Sequence, residues 1–401
     1  MQRLKRLLFR RRPKPPHEPL APTPAASAGN LSLSKLEQLP FEIRNEILLA
    51  VDTTTDLCAL VHASPTFHQQ YRLDRAFWLW HCLQLEMGHV LIDAYTANLC
   101  NMPEFRLKRT RQKVLQIIDD YKLQRSTVTE ALSKPAPEED VICITTFHSH
   151  NVRPLLQQYI SWARTNLEGL SVPDQLSRTE QRRIIRGLYR FQIFCNLFGG
   201  VHGAKHGRRG DVLEAEDRLE LFLDEYEPWE VEEILCINAF VDAKYRSVFE
   251  EVQWDLHPDN PSFDAERTGP QTPPGAFRLV NDSDDWISET TEPYLQERRR
   301  EHRYSDRDKA QDSREKMSFN GDKDDSPPLA WVTIWNEAYS NLYSDFIPEP
   351  LRRWGYIMWD GGRLADSGAA AIMDREWKTM YGGLDEDGET EDPRDDMLAY
   401  N

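Results

Sequence analysis

Two histidine clusters are the residues whose types and spacing come nearest to catalytic chemistry. His202 and His206 stand four residues apart, a spacing that on a helix would direct both imidazoles toward one zinc ion. Glycines surround them, however, which is the composition of a loop with solvated histidines, and no HExxH pattern occurs. The other cluster, His148-Ser149-His150, has no such spacing. A metal-dependent hydrolase using His202 and His206 therefore stays only as an alternative, and we predict no metal.

The other common catalytic patterns are missing from the sequence. No GxxxxGK[ST] phosphate loop, no GxGxxG dinucleotide motif and no GxSxG nucleophile motif occurs. Aspartates and glutamates are so numerous that no catalytic pair of carboxylates can be singled out. We therefore predict that the chain is not an enzyme and that it binds no cofactor.

The net charge and the length of the apolar runs argue against two further classes of protein, those that bind nucleic acid and those that span a membrane. The 401 residues carry a net charge of −17, although the first 30 residues hold seven Lys/Arg and only one acid, Glu18. An acidic body is repelled by phosphates, so we expect no nucleic-acid partner. The apolar runs, such as 47–51, are far shorter than the ~20 residues of a spanning helix, so we expect no membrane span.

The cysteines and the first residues bear on location. The six cysteines are scattered without a CxxC pair, which predicts buried, reduced thiols in the cytoplasm or the nucleus. The basic cluster Arg10-Arg11-Arg12-Pro13-Lys14 is of the nuclear-localisation kind. Alternatively, residues 4–8 could form a short basic amphipathic helix, either a mitochondrial presequence or a membrane-surface anchor. We treat residues 1–30 as a disordered basic tail and leave the alternatives open.

Helical signals dominate the rest of the chain and predict a mostly α fold. Ser177 and Glu180 form a capping box ahead of an apolar helical face, and Pro228 suits a first helical position. The predicted parts are a basic tail (1–30), an N-terminal helical module (31–85), a helical domain (86–254), a largely disordered insertion (255–328), an aromatic-rich segment packing on that domain (329–382) and an acidic tail (383–401).

Residues 36–83 carry the functional signal. Pro40 suits the first turn of a helix on which Ile43, Ile47 and Leu48 share one half of the surface. Asp56 is a candidate cap for a second helix, and Ser64 is a candidate cap for a third, which could run on through Leu83. Helices this short bury too little surface to be stable alone. The module must complete its core against the rest of the chain or against a partner.

These residues resemble the F-box family. The family pattern corresponds to Leu39-Pro40-Phe41-Glu42-Ile43, then Ile47-Leu48, then Asp56-Leu57-Cys58-Ala59-Leu60. The ending Ala63-Ser64-Pro65-Thr66-Phe67-His68 is similar to the filamentous-fungal version, with Phe67 where many members have tryptophan. The Trp-rich block around residues 354–360 is also similar to long fungal F-box-like chains. The match covers about 45 of the 401 residues.

The resemblance implies a three-helix module that docks on the Skp-family adaptor and, through it, on the cullin of a ubiquitin ligase. The rest of the chain would present an unknown protein substrate, with catalysis supplied by the ligase partners. The docking residues carried over from the family pattern are Leu39, Pro40, Ile43, Ile47, Leu57, Leu60 and Phe67. Some of them could instead only pack the module internally. The alternative function is an F-box-like scaffold acting outside any ligase.

Overall fold

The computed structural model describes residues 34–166, 175–199, 221–256, 305–383 and 392–396. Helices predominate in these ranges and no β-strand forms in them, so the mostly α prediction is confirmed. The ladder-type pairing seen in these ranges is a single antiparallel bridge between Lys316 and Ala338. Among the described helices, none has both the length and the apolar character needed to cross a bilayer.

The helices divide into an N-terminal set, a central set and a C-terminal set. The N-terminal set is α1 (Phe41–Leu49), α2 (Thr54–Ala63), α3 (Pro65–Leu73) and α4 (Arg75–Met87). The central set is α5 (Val90–Asn101), α6 (Pro103–Leu107), α7 (Arg111–Ser126), α8 (Val128–Ala131), α9 (Glu138–Phe147), a π-helical turn (His148–Val152), α10 (Arg153–Thr165), α11 (Arg178–Phe198), a 3-10 turn (Leu223–Glu225) and α12 (Pro228–Leu256). The C-terminal set is α13 (Asp306–Asp312), α14 (Leu329–Ile334), a 3-10 turn (Ser344–Phe346), α15 (Glu349–Trp354), a 3-10 turn (Tyr356–Met358), α16 (Gly361–Ser367), α17 (Ala369–Tyr381) and α18 (Pro393–Asp396).

Short polar caps divide the N-terminal set into four helices. Ser64 caps α3 by accepting from the backbone N–H of Phe67, as predicted. The cap of α2 is Thr53 rather than Asp56, because the Thr53 hydroxyl lies in position to accept from the Asp56 N–H. A second break follows at Asp74, whose carboxylate caps α4, so the third helix does not run on through Leu83.

Helix α11 forms the centre of the molecule, packed between α5 and α12. It begins with the predicted capping box, in which Ser177 accepts from the Glu180 N–H and Glu180 accepts from the Ser177 N–H. Its apolar residues are buried as expected, and so are three arginines on the same helix: Arg183, Arg186 and Arg190. A helix buried nearly all round needs an ionic partner for each of these charges.

The three arginines form a buried ionic row along α11. Their five carboxylate partners come from four separate parts of the chain: Asp93, Glu230 with Glu233, Asp322 and Asp360. Each pair joins α11 to another element, from α5 in the central set to the loop before α16. The row therefore fixes which elements are neighbours as well as satisfying the charges.

The C-terminal set packs on the central set. Arg352 on α15 pairs with the buried Glu232 on α12 at 3.2 Å between Nε and Oε2, and Arg363 on α16 pairs with Glu180. Farther along, the rings of Trp331, Trp335 and Trp377 form a cluster, with centroids 5.8 and 5.4 Å apart. These buried aromatics give α14 and α17 their common core.

Part of the predicted disordered insertion (255–328) is ordered. The structure describes it from residue 305, where Ser305 and Asp308 form a capping box for α13. Met317 is buried, and the Asp324 carbonyl accepts from Arg186 at 2.7 Å. The charge-rich composition gave the expectation of mobility, but here the charges lie opposite arginines of α11. Residues 255 and 256 end α12, and 257–304 lie outside the described residues, as do 1–33 and most of the acidic tail (383–401).

Candidate partner-binding surface

An apolar stripe lies on the outer side of the N-terminal set. It consists of Leu39, Pro40, Ile43 and Ile47, at and just before α1. Ile43 is 46% exposed and Pro40 is exposed, whereas Leu39 and Ile47 are half-buried and Ile47 packs against the core. The stripe is therefore uncovered at Pro40 and Ile43. Leu48, on the opposite side of α1, is fully buried toward α4. An uncovered apolar row on a helix is typical of a protein contact surface.

The remaining predicted docking residues lie deeper in the module. Leu57 and Phe67 are 2% and 1% exposed, inside the core that α2 and α3 share with α4. Leu60 is half-buried and packs against that core. The structure thus brings Leu39, Pro40, Ile43 and Ile47 together at the surface, whereas Leu57 and Phe67 support the helices from within. Their contribution to a partner contact stays a prediction.

Polar contacts hold the stripe in place. The Arg44 guanidinium donates to the Leu39 carbonyl at 2.7 Å, to the Glu37 carbonyl at 3.0 Å and to Gln70 Oε1 at 2.9 Å. Gln70, buried on α3, donates in turn to the Phe41 carbonyl at 3.1 Å. These bonds fix the turn before α1 against α3. The stripe is therefore ordered before any partner arrives, which lowers the entropy cost of binding.

The module is also fixed to the rest of the chain. On α4, the buried Trp80 donates from its indole Nε1 to the Leu132 carbonyl at 3.4 Å, outside the module. Glu86, also on α4, accepts from the Thr54 N–H and hydroxyl through Oε2, each at 3.2 Å. Through Oε1 it accepts from Arg153 of α10 and lies 3.0 Å from His148 Nε2. Since Glu86 is an ionised carboxylate, the His148 Nε2 must carry the proton in this bond.

Glu86 is the ionisable residue of this polar network that the sequence did not reveal. Burial alone would raise its pKa, but hydrogen bonding to His148 and the charge of Arg153 lower the pKa from 4.5 to about 2. His148 is fully buried and its Nδ1 lies 3.1 Å from the Tyr189 hydroxyl on α11. The hydrogen-bond partners of Glu86 and His148 are distant in the sequence, so no local spacing of residues points to either one. The only signal in the sequence was the His148-Ser149-His150 cluster, which had no assigned role.

We expect Glu86→Gln to remove about 2–3 kcal/mol of unfolding free energy at pH 7, because a carboxylate with a depressed folded pKa stabilises the fold above its unfolded pKa. The difference from wild type should shrink as the pH falls from about 4.5 toward 2, where Glu86 takes up its proton in both states. Urea denaturation of both proteins, monitored by circular dichroism at several pH values between 3 and 7, measures this difference in unfolding free energy. Glu46→Gln, an exposed acid on α1, is the control and should change little. A pH-independent loss in Glu86→Gln would contradict the assignment.

The metal-site alternative is not tested by the structure, because His202 and His206 lie outside the described residues. Within the described ranges, no three His, Cys, Asp or Glu side chains are grouped as metal ligands would be.

All six cysteines are free, in line with the predicted reduced thiols. Their predicted burial is wrong for Cys58 and Cys143, which are exposed, because both lie on the solvent side of amphipathic helices. Cys82, Cys100 and Cys236 are buried, and burial raises the pKa of the Cys100 thiol to about 12. Thiols of that kind are unreactive at neutral pH.

The comparisons with family models, with curated proteins and with solved structures gave no match to this chain.

Proposed function

We propose that this chain is a substrate-recognition adaptor of a Skp–cullin–F-box ubiquitin ligase, working in the cytoplasm or the nucleus. The apolar stripe would dock on the Skp-family adaptor, and the central and C-terminal helices would hold a protein substrate. The chain itself would catalyse nothing, and would contribute the proximity of a substrate lysine to the ligase partners.

The observation that carries the proposal is the apolar stripe at the start of the module, which is uncovered at Pro40 and Ile43. Its exposed Ile43 and Pro40 coincide with the positions that the F-box pattern assigns to docking. The Arg44 and Gln70 bonds hold this surface in one conformation, as a helix-mediated contact needs. The contacts of α4 with the central helices would give the docked partner a fixed orientation toward the rest of the chain.

Pull-down of the tagged full-length chain tests the proposal. We expect wild type to recover both the Skp adaptor and the cullin, and Ile43→Asp to lose both by about 100-fold, since a charge placed in an apolar contact costs ~3 kcal/mol. Ile43 is exposed, so the variant should fold normally. Leu123→Asp on α7, also an exposed residue, is the matched control and should bind as wild type does.

Two outcomes would contradict the adaptor role. Failure of the wild-type chain to recover either partner would remove the proposal altogether. Recovery of the Skp adaptor without the cullin would contradict a ligase and support the scaffold acting outside one.

A further inference from the structure

A groove of about 810 Å³ lies between α5, α6 and α9, on a floor formed by α11. Its volume is in the ~300–1,000 Å³ range of ligand sites. Small and apolar side chains line its walls together with the carboxamides of Asn98, Asn101, Asn151 and Gln192.

The floor of the groove is rigid. Tyr189 lines it, and its hydroxyl is fixed by His148, which Glu86 holds from the far side. His148 begins the π-helical turn, and Asn151 in the same turn lies at the groove wall. The turn thus directs one residue into the core and another to the groove. Single π turns of this kind occur frequently at functional sites.

The carboxamides of the groove keep unused hydrogen-bonding groups. Asn98 donates to Asp140 at 3.0 Å and Gln192 donates to Asn196 at 2.8 Å, which leaves both side-chain carbonyls without a donor among the described residues. Asn101 accepts from Arg106, which leaves its NH₂ group for a ligand. Together these side chains offer acceptors at Asn98 and Gln192 and a donor at Asn101, and a peptide backbone presents the complementary donors and acceptors.

The charge of the groove is negative. Glu104 and Glu139 line it, both exposed, and no Lys, Arg or His is among the lining residues. Neither carboxylate has an ion-pair partner within the described part of the chain. A ligand that brings a positive charge to these carboxylates would gain electrostatic complementarity, and an anionic ligand would be repelled.

We infer that this groove binds an extended peptide segment that carries a lysine or arginine side chain. The carboxamides would bond its backbone, the apolar wall around Ile142 and Ala97 would receive a neighbouring apolar side chain, and Glu104 with Glu139 would take the cation. The inference rests on the proposed function in one respect, namely that the segment would belong to the protein substrate. The binding itself is independent of any ligase.

Protection of Cys143 provides the test, because this exposed thiol lines the groove. Cys58, exposed on α2 and absent from the groove lining, is the internal control within the same molecule. The probe is a pool of capped octapeptides with one fixed lysine and the other positions drawn from Ala, Ser, Leu and Tyr. A second pool has glutamate in place of the lysine. Iodoacetamide labelling of the full-length chain is followed at both cysteines by mass spectrometry.

We expect the lysine pool to slow labelling of Cys143 by about tenfold near saturation, as mass action requires, and to leave Cys58 unchanged. The glutamate pool should protect neither thiol. Absence of protection at Cys143 by the lysine pool would overturn the inference. Equal protection by both pools would overturn the role of the two carboxylates.

Charge reversal makes the test specific. Glu139→Arg should abolish protection by the lysine pool and create protection by the glutamate pool. Glu138→Arg is the matched control, because Glu138 lies in the same first turn of α9 but does not line the groove. It should behave as wild type does. If the two variants lose protection alike, the effect is one of α9 stability, and the peptide site is contradicted.

The same two measurements separate this inference from the adaptor role. Ile43→Asp should keep full peptide protection while losing the Skp adaptor, and Glu139→Arg should keep the Skp adaptor. Peptide protection without any recovery of the Skp adaptor would contradict the proposed function alone. Recovery of the Skp adaptor without protection would contradict the groove alone.

Discussion

Arg186→Met should lower the free energy of unfolding by about 3–5 kcal/mol, the largest single-residue effect that we expect in this chain. The guanidinium bonds both oxygens of Glu233, at 2.7 Å from Nε and 2.5 Å from Nη2, and both side chains are at most 2% exposed. Its Nη1 also donates to the Asp324 carbonyl at 2.7 Å. Methionine would leave a carboxylate and a carbonyl in the core without this donor.

The pH dependence of this loss has a definite sign. Burial already raises the pKa of Glu233 even with Arg186 beside it, and removing the arginine would raise it further. An acid whose folded pKa is raised binds its proton more readily in the folded state, so it stabilises the fold less as the pH rises. The deficit of Arg186→Met should therefore be greatest at neutral pH and smaller near pH 5. Urea denaturation at the two pH values measures it.

The double variant Arg186→Met/Glu233→Met distinguishes an unpaired charge from lost packing. Replacing a whole buried pair by apolar residues of similar size is often close to neutral. We expect the double variant to regain most of the stability that Arg186→Met loses. If it is as unstable as the single variant, the pair is not the cause, and the loss of the Asp324 contact would explain the effect instead.

Helix ends could be predicted from the sequence because caps act within one turn. The capping box of Ser177 and Glu180, the start of α12 at Pro228 and the Ser64 cap are all where local chemistry puts them. The α2 cap was misplaced to Asp56, since Thr and Asp are both good caps and stand three residues apart. Signals of this kind give element positions and leave their arrangement open.

The buried arginines could not be predicted, because their partners are distant in sequence. Arg186 and Arg190 follow each other at helical spacing among apolar residues and look like the solvated side of α11. Their carboxylates come from Asp93 on α5 and from Glu230 and Glu233 on α12. The acids of α12 stand near the start of that helix, where the helix dipole favours negative charge, so local rules already account for them and indicate no distant partner. The signal that was present in the sequence is a row of arginines on α11 and a row of glutamates on α12.

The surface stripe could be predicted only in part, unlike the helix ends, which followed from local chemistry, and the buried arginines, which did not. Periodicity placed Ile43 and Leu48 on the same apolar half of α1, yet Leu48 is fully buried and Ile43 is 46% exposed. Amphipathicity shows that a helix has an apolar side. How much of that side is buried depends on where the neighbouring helix α4 packs, which the local pattern does not give. The groove gave no sequence signal, since its walls join residues from α5, α6, α9 and α11, which are distant in the sequence.

Gly355→Ala should cost about 3–4 kcal/mol, from two separate causes. Gly355 ends α15 with φ +75° and ψ +39°, a left-handed conformation that is strained for any residue with a Cβ. It also lies against Tyr159 of α10, so an added Cβ would overlap the tyrosine Oη and stand 3.2 Å from Cζ. Tyr159 is fully buried and cannot rotate away into solvent. Alanine would therefore push α10 and α15 apart.

Gly368→Ala isolates the conformational part of this cost. Gly368 has φ +70°, nearly the same as Gly355, but a Cβ there would meet no atom within 4 Å. We expect Gly368→Ala to lose only about 1–2 kcal/mol, the strain of a left-handed alanine. Thermal and urea denaturation of both variants compare the two positions directly. Equal losses would show that the contact with Tyr159 adds nothing.

Tyr159→Phe supplies the reciprocal test. The Tyr159 hydroxyl is buried and has no hydrogen-bond partner among the described residues, so its removal alone should cost little or slightly stabilise the fold. In the Gly355→Ala background, the same change removes the overlapping oxygen. The double variant should then recover part of the overlap cost but none of the left-handed strain, and its stability should approach that of Gly368→Ala. Simple additivity of the two substitutions would contradict the overlap, because side chains in contact must couple.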